Sequence, residues 1–342
     1  MRDLLVTLLV FGSLPLILRR PFVGIIVWTW LGLMNPHRQR LEWLVWTICV
    51  SLGFYGFKGG IWILMTGGAH QVFGPSNTFI GGNNELGLAL IMIVPLLWFL
   101  VTQSKKKWLK MGLYAAMAFT LIAIVGTHSR GALLGLAGMG LMFFMKSRSK
   151  FVPLILSLIF VAALPSIMPE EWFGRMHTIE TYEEDKSATE RLRAWGNATR
   201  LAKERFIGGG YDVLIYYGGR DAHSIYFEVL AEHGFLGLGL FLLLGAFTWF
   251  KASKTKRLAK RYESLRWAGD LAGMLQVSLA GYAVAGAFLG LAYFDLYYLI
   301  VVCVIATNRV AVAELHAEEN AREAPSPVPA TGQPGLAMNV QR

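Results

Sequence analysis

Charge is scarce in this chain. Of its 342 residues only 16% are Asp, Glu, Lys or Arg, where a soluble domain carries roughly 25%. Cysteine is nearly absent. Cys49 and Cys303 both lie inside apolar runs, so there is no disulfide framework and no metal-ligand spacing. No Walker loop, HExxH helix, heptad array or internal repeat is present. The opening MRDLLVTLLVFG is followed by no small-residue cleavage site, so it is expected as a first membrane helix rather than a signal peptide. Long polar stretches are also rare. One runs from Pro169 to Gly234, between two greasy halves.

What the chain does have is apolar sequence: 55% hydrophobic residues and a mean hydropathy of +0.48. Runs of about 17–25 apolar residues recur, the length a helix needs to cross a bilayer core. They are too long and too uniformly apolar for barrel strands. The expected fold is all-α, a polytopic helical membrane protein of about ten transmembrane helices with one large periplasmic loop. The ten apolar segments are roughly 3–18, 22–34, 41–57, 86–102, 109–126, 131–146, 151–168, 225–250, 268–288 and 291–308. The Gly-rich piece 56–70 is open to a re-entrant or interfacial reading.

A net charge of +10 raises nucleic acid as a partner, but the basic residues sit in short clusters between apolar runs, which reports orientation instead. The clusters are Lys105, Lys106, Lys107 and Lys110; Lys146, Arg148 and Lys150; and seven Lys/Arg between Lys251 and Arg266. The positive-inside rule puts all three in the cytoplasm with both termini, and the loops 58–85, 127–130 and 169–224 outside. Arg19 and Arg20 then fall outside, a weak violation. The long loop holds eight Lys/Arg and ten Asp/Glu, which fits an external position. The expected organisation is N-terminal helices over 1–168, the periplasmic loop 169–224, C-terminal helices over 225–310 and a disordered cytoplasmic tail over 311–342, Pro/Ala/Gly-rich after Glu314.

Four external pieces have the residue types that chemistry needs. In GPSNTFIGGNNELG, Asn83 and Asn84 stand where a helix N-cap belongs, with Glu85 in the first turn. They read either as caps or as amides lining a polar site. In THSRGALLGLAGMG, Gly131, Gly135, Gly138 and Gly140 form a small-residue stripe suited to helix packing. Arg130 is different, because a guanidinium at a helix N-terminus adds to the positive dipole end and favours an anion there; the alternative is a snorkelling or salt-bridged arginine. The third piece, ATERLRAWGNATRLAKERFIGGGYD, is amphipathic through Leu192, Trp195, Ala198, Thr199 and Ala202 and fits a membrane surface. Its Arg191, Arg193, Arg200 and Arg205 suit either lipid headgroups or a bidentate pyrophosphate clamp. In DAHSIYFEVLAEHGFLG, His223 opens a span and is a candidate base, while Glu228 and Glu232 share one helix face.

In this order, SRGALLGL, then ERLRAW and GGGYD, then HSIYFEVLAEHGFLGLGLF resemble the O-antigen ligase-like family of lipid-linked glycan ligases and polymerases. The stretches LPLILRRPFVGIIVWTWLGLMNPHR, SLGFYGFKGGIWILMTGG and FIGGNNELGLAL are similar to the exosortase-system-associated O-glycosylation ligases. The resemblance covers nearly the whole chain. It departs after NPHR, where Arg38 runs straight into QRLEWLVWTI and two spans are missing, a number that preserves the inside/outside count.

The resemblance implies a glycosyltransferase of the bacterial inner membrane, inverting, needing no metal or other cofactor. It would take glycan from undecaprenyl diphosphate to a protein or lipid acceptor hydroxyl on the periplasmic side. The family's arginine at the external end of a span is matched by Arg130, its arginine four before a Trp by Arg191, and its histidine opening the next span by His223. These are the expected catalytic residues. Arg193, Asn83, Asn84, Gly209 and Tyr211 are the expected substrate-binding residues, with the Gly208–Gly210 turn letting backbone approach substrate. Partners are membrane lipids, the lipid-linked donor and the acceptor, with no nucleic acid. No DxD-like motif occurs in the external loops. The alternatives are a polysaccharide polymerase on the same fold, or a lipid-linked sugar transporter. Transport would need polar groups at mid-depth, for which Asp295, Tyr293, Tyr297, Tyr298 and Gln276 are the candidates.

Overall fold

A computed structural model describes residues 37–146, 158, 161–177, 186–218 and 221–323. Among them every regular element is helical: α1 (Arg38–Thr66), α2 (Asn83–Gln103), α3 (Lys107–Gly126), α4 (Arg130–Lys146), α5 (Glu170–His177), α6 (Lys186–Glu204), α7 (Val213–Gly218), α8 (Ile225–Ala259), α9 (Arg266–Gly286) and α10 (Asp295–Glu323). Residues 161–167 are helical as well. Five of these, α1, α2, α3, α8 and α10, are long and apolar enough to cross a membrane. At 17 residues, α4 is shorter than that measure requires; α9 is diluted by Gly, Gln, Ser and Asp. Five of the about ten expected spans are therefore shown among the described residues. The expected segments 3–18 and 22–34, residues 151–157 and 159–160 of the segment 151–168, the pair Arg19 and Arg20, the basic Arg148 and Lys150, and the tail from 324 lie outside them.

The hub is α2. It is hydrophobic all round, and such a helix belongs in an interior; every residue from Leu86 to Leu97 is buried. It packs on α1, α3, α4 and α9, and α9 continues the core to α8 and α10. Apolar surface in lipid does not drive helices together, so close packing over small residues must. On α1, Gly56 and Gly60 are four apart and face α3. A Cβ on Gly56 would sit 3.0 Å from Thr120 Cβ, and one on Gly60 only 2.7 Å from Phe119 Cα. Most of the Gly-rich piece 56–70 is thus regular helix. Its Gly56, Gly59 and Gly60 are a packing face, and α1 runs on to Thr66 before Gly67 caps it in the left-handed region.

The glycine stripe of α4 behaves the same way over most of its length. Gly131 meets Phe288, Gly135 meets Ala285 and Gly138 meets Val284, while Gly140 meets nothing. Among its described residues the expected loop 169–224 is largely helical, and most of the amphipathic piece forms α6. Trp172 tucks its indole under α3, donating from Nε1 to Val125 O at 3.2 Å. The bundle has two distinct ends. One collects the turns 67–82, 127–129, 221–224 and 287–294; the other collects Lys105–Lys107 and the basic stretch 251–266.

The packing at Gly60 has a measurable consequence. Gly60→Val should lower the thermal unfolding midpoint in detergent, at a cost of about 1–3 kcal/mol for overpacking. Gly112→Val, on α3 with nothing within 4 Å, should leave it nearly unchanged. Equal midpoints would mean the α1–α3 face is looser than described.

Candidate functional site

The end of the bundle opposite the basic stretches is built around a backbone crossing. In α8 the helix is broken at Gly234 (φ 64, ψ −163), and the turn 206–212 wraps that break. Gly209 N–H donates to Ala231 O (2.8 Å), Gly210 N–H to Glu232 O (3.0 Å) and Phe235 N–H to Phe206 O (3.1 Å). Neither partner has room for a side chain. A Cβ on Gly208 would lie 2.5 Å from Gly234 N, and one on Gly234 would lie 2.6 Å from Gly208 N. Gly209, expected against substrate, thus gives its N–H to α8, and the turn's glycines bring one backbone close to another.

Glu232, buried at the break, holds the same turn from its side chain. Its Oε1 accepts the Asp212 N–H (2.8 Å) and its Oε2 accepts the Tyr293 hydroxyl (2.5 Å). Burial, and then that hydrogen bond, push the Tyr293 hydroxyl well above the ordinary tyrosine range, so it stays a donor. Tyr211 packs its ring on His233 and Tyr293, centroids 5.7 and 5.1 Å away, while the residue remains largely exposed.

Above this crossing α6 lies along α8. Its inward face is Ala194, Ala198 and Ala202, all buried. Small residues four apart let two helices approach closely. Leu192, expected on that face, is 50% exposed. Trp195 anchors the helix: its ring stacks on Phe227 (4.8 Å, 9°) and its Nε1 donates to Ala222 O at 2.9 Å. The stack is worth about 0.5–1.5 kcal/mol beyond burial. Arg191, half-buried, stands one turn before Trp195 on the same face. Arg193 and Arg200 are exposed, the latter 3.5 Å from Asn197 Oδ1.

The Trp195 bond fixes the residue before His223. Ala222 and Ser224 are fully buried, and between them His223 takes a left-handed backbone (φ 46) that turns its ring outward, half-exposed, with Nδ1 3.7 Å from Asp221 Oδ2. His128 and Asp212, at the same end, are left-handed too (φ 54 and 55). Non-glycine residues adopt this region sparingly and at some cost. Ser224 Oγ is buried without a hydrogen-bond partner.

Arg130, half-buried, begins α4. The preceding residue is the cap: Ser129 Oγ accepts the Ala132 N–H at 3.1 Å. The turn before it is held from two sides, by Asn83 Nδ2 donating to Thr127 O (2.8 Å) and by His128 Nε2 within 3.0 Å of Gly68 O. Asn83 is therefore not the cap of α2, a position that Gly82 fills; its amide braces the turn that carries Arg130. Asn84 follows it, half-buried.

The sequence reading did not place the loop 287–294, between α9 and α10, at this site; of its residues it named only Tyr293, as a mid-depth group. Phe288 and Leu289 pack on Gly131, beside Arg130. A Cβ on Gly290 would run into the Asp221 carboxylate, beside His223. Ala292 N–H donates to Glu228 Oε2 at 3.1 Å. One loop thus touches the neighbours of Arg130 and of His223. Its carbonyls are covered by tyrosines: Tyr282 donates to Leu291 O (2.9 Å) and Tyr298 to Ala292 O (3.2 Å). Tyr293 and Tyr298, raised above as mid-depth groups for transport, are bound up in holding this loop and Glu232. A cavity of about 130 Å³ lies beside the crossing, lined by Asp212, Asp221, Glu228 and Glu232 together with Leu214, Ile215 and Ala231. Among the described residues these carboxylates do not converge as a metal-ligand set.

Gly234→Ala should cost about 2 kcal/mol or more, from backbone collision plus a strained φ. Gly210→Ala (φ 89, nothing within 4 Å) should cost only the conformational part, about 1–2 kcal/mol. Thermal unfolding of the two variants orders them; the reverse order would contradict the crossing.

Comparison with known families places a match on this segment. Residues 115–242 match a family model described as O-antigen ligase. That span contains Arg130, Arg191, Arg193, Gly209, Tyr211 and His223, and leaves Asn83 and Asn84 outside. No curated protein matches the chain.

Proposed function

We propose that this chain, with an O-antigen ligase match over residues 115–242, is a membrane glycosyltransferase working at the periplasmic face of the bacterial inner membrane. It moves a glycan from undecaprenyl diphosphate to a hydroxyl of a protein or lipid acceptor, with inversion at the anomeric carbon. What carries this reading is that the matched segment includes Arg130, Arg191 and His223, whose backbone neighbours are tied at one end of the bundle by Trp195 and the loop 287–294.

In the proposed step the acceptor oxygen attacks the anomeric carbon from the face opposite the diphosphate. The bond from that carbon to the diphosphate oxygen breaks, and its electron pair leaves with the lipid diphosphate. The acceptor proton passes to His223. Asp221, 3.7 Å from Nδ1, favours the proton on that nitrogen and leaves Nε2 free to accept. Charge developing on the diphosphate needs fixed cations rather than a proton donor. Arg130 and Arg191 supply them, with Arg193 as a weaker contributor, and preorganised charge of this kind is usually the largest catalytic effect. The arginines take the part that a metal ion plays in soluble sugar transferases, so the reaction needs no metal.

Transfer from an undecaprenyl-diphosphate donor in membrane vesicles tests the reading. His223→Ala at matched protein level should lower the rate about 10²-fold or more. Arg191→Lys, which keeps the charge but loses the planar fork, should lower it about tenfold. Wild-type rates in both variants would sink the mechanism. In cells, deletion should leave a full but unattached glycan ladder; collapse of the ladder would make the chain a polymerase.

A further inference from the structure

The opposite end of the bundle holds a second constellation of charge. Lys146 closes α4, and its Nζ donates to Gln276 Oε1 on α9 at 2.7 Å while lying 5.0 Å from the centroid of the Trp249 ring on α8. Gln276 is fully buried and has no freedom to turn away. Its Nε2 donates to Ser253 Oγ (2.7 Å) and to Trp249 O (3.1 Å). The amide thus presents its oxygen to Lys146 and ties α8, α9 and α4 together.

One turn earlier on α9 stands Gly273, and the side chain of Lys256 from α8 lies over it. A Cβ at 273 would be 3.5 Å from Lys256 Nζ and 3.7 Å from its Cε. Two ammonium groups from different helices therefore arrive on one face of α9, three residues apart. Lys260 adds a third one turn further along α8. Of the charged groups acting on Lys256, two are the lysines Lys146 and Lys260, and one is a carboxylate, Asp270. Gathering like charges against apolar helices is unfavourable unless an anion joins them. Packing brings these lysines together nonetheless, in the last turns of α4 and α8, the level at which the orientation expected from the basic clusters puts cytoplasmic headgroups. Basic groups between helices at that level are suited to phosphate.

We propose that Lys146, Lys256 and Lys260 seat a phosphoryl group, from an anionic phospholipid headgroup or from a free phosphate compound. Gly273 provides the berth for the Lys256 stem, and Gln276 fixes Lys146. This site is separate from the one around His223 and does not depend on its chemistry.

The test is thermal unfolding of the purified full chain in neutral detergent, with added phosphatidylglycerol, phosphatidylcholine or inorganic phosphate. Phosphatidylglycerol should raise the midpoint where phosphatidylcholine does not. Lys256→Gln should weaken that response about fivefold, and Lys256→Arg should retain it. Lys254→Gln, an exposed lysine two residues away, should respond like the wild type. Stabilisation by millimolar inorganic phosphate as well would identify a soluble phosphate as the source; stabilisation by phosphatidylglycerol alone would identify the headgroup. Absence of any difference between the two lipids together with no phosphate response, or an equal loss in Lys254→Gln, overturns the proposal. If Lys256→Gln does not fold, Lys260→Gln replaces it under the same criteria.

Discussion

The α6–α8 half of the candidate site depends on two backbones passing within hydrogen-bonding distance. Residues 206–210 and 231–235 exchange three N–H···O bonds, and they reach each other because Gly208 and Gly234 carry no side chains. The crossing breaks α8, satisfies backbone groups that the break would leave bare, and aims the first two turns of α8 away from its apolar remainder. Glu232 sits at the break and uses both carboxylate oxygens to hold what surrounds it. The crossing joins the end of α6 to the break in α8, and adds to the buried alanine face and the Trp195–Phe227 stack that lay the two helices together.

Charge at this end is segregated in an informative way. The guanidinium groups Arg130 and Arg191 come from near the starts of α4 and α6, whereas Asp212, Asp221, Glu228 and Glu232 line the cavity beside the crossing. His223 lies at the border, its ring outward and Asp221 behind it. On the proposed function, this arrangement keeps the place for an anionic leaving group apart from the carboxylates. It also gives the histidine a reason to sit in a left-handed conformation, since an extended one would turn its ring elsewhere.

Much of the fold was legible in the sequence, and what was not has identifiable causes. The expected segments 41–57, 86–102, 109–126, 131–146, 225–250, 268–288 and 291–308 each fall on a helix, because hydrophobic length survives any tertiary arrangement. The extent of α1 was misread, because glycine is equally common in turns and in helix-packing faces. Only the position of α3 decides between them. Arg130, Arg191 and His223 could be singled out from flanking pattern and resemblance. The role of Asn83 could not, since its partner Thr127 is 44 residues away. The loop 287–294 went unrecognised as part of the site for a different reason: it lies across the edges of the apolar segments 268–288 and 291–308, and its Tyr293 was read as a mid-depth group for transport. A glycine and three tyrosines within nine residues were the available signal.

That loop has a consequence in time as well as in space. Gly131 and Asp221 are ninety residues apart in the chain, yet both rest on positions 288–290, which are translated after either of them. The arginine-bearing and histidine-bearing elements are therefore made before the piece that spans them. Their registration against one another waits until α9 and α10 join the bundle. A nascent or prematurely terminated chain would hold every residue of the proposed chemistry and still lack the surface that registers them against one another.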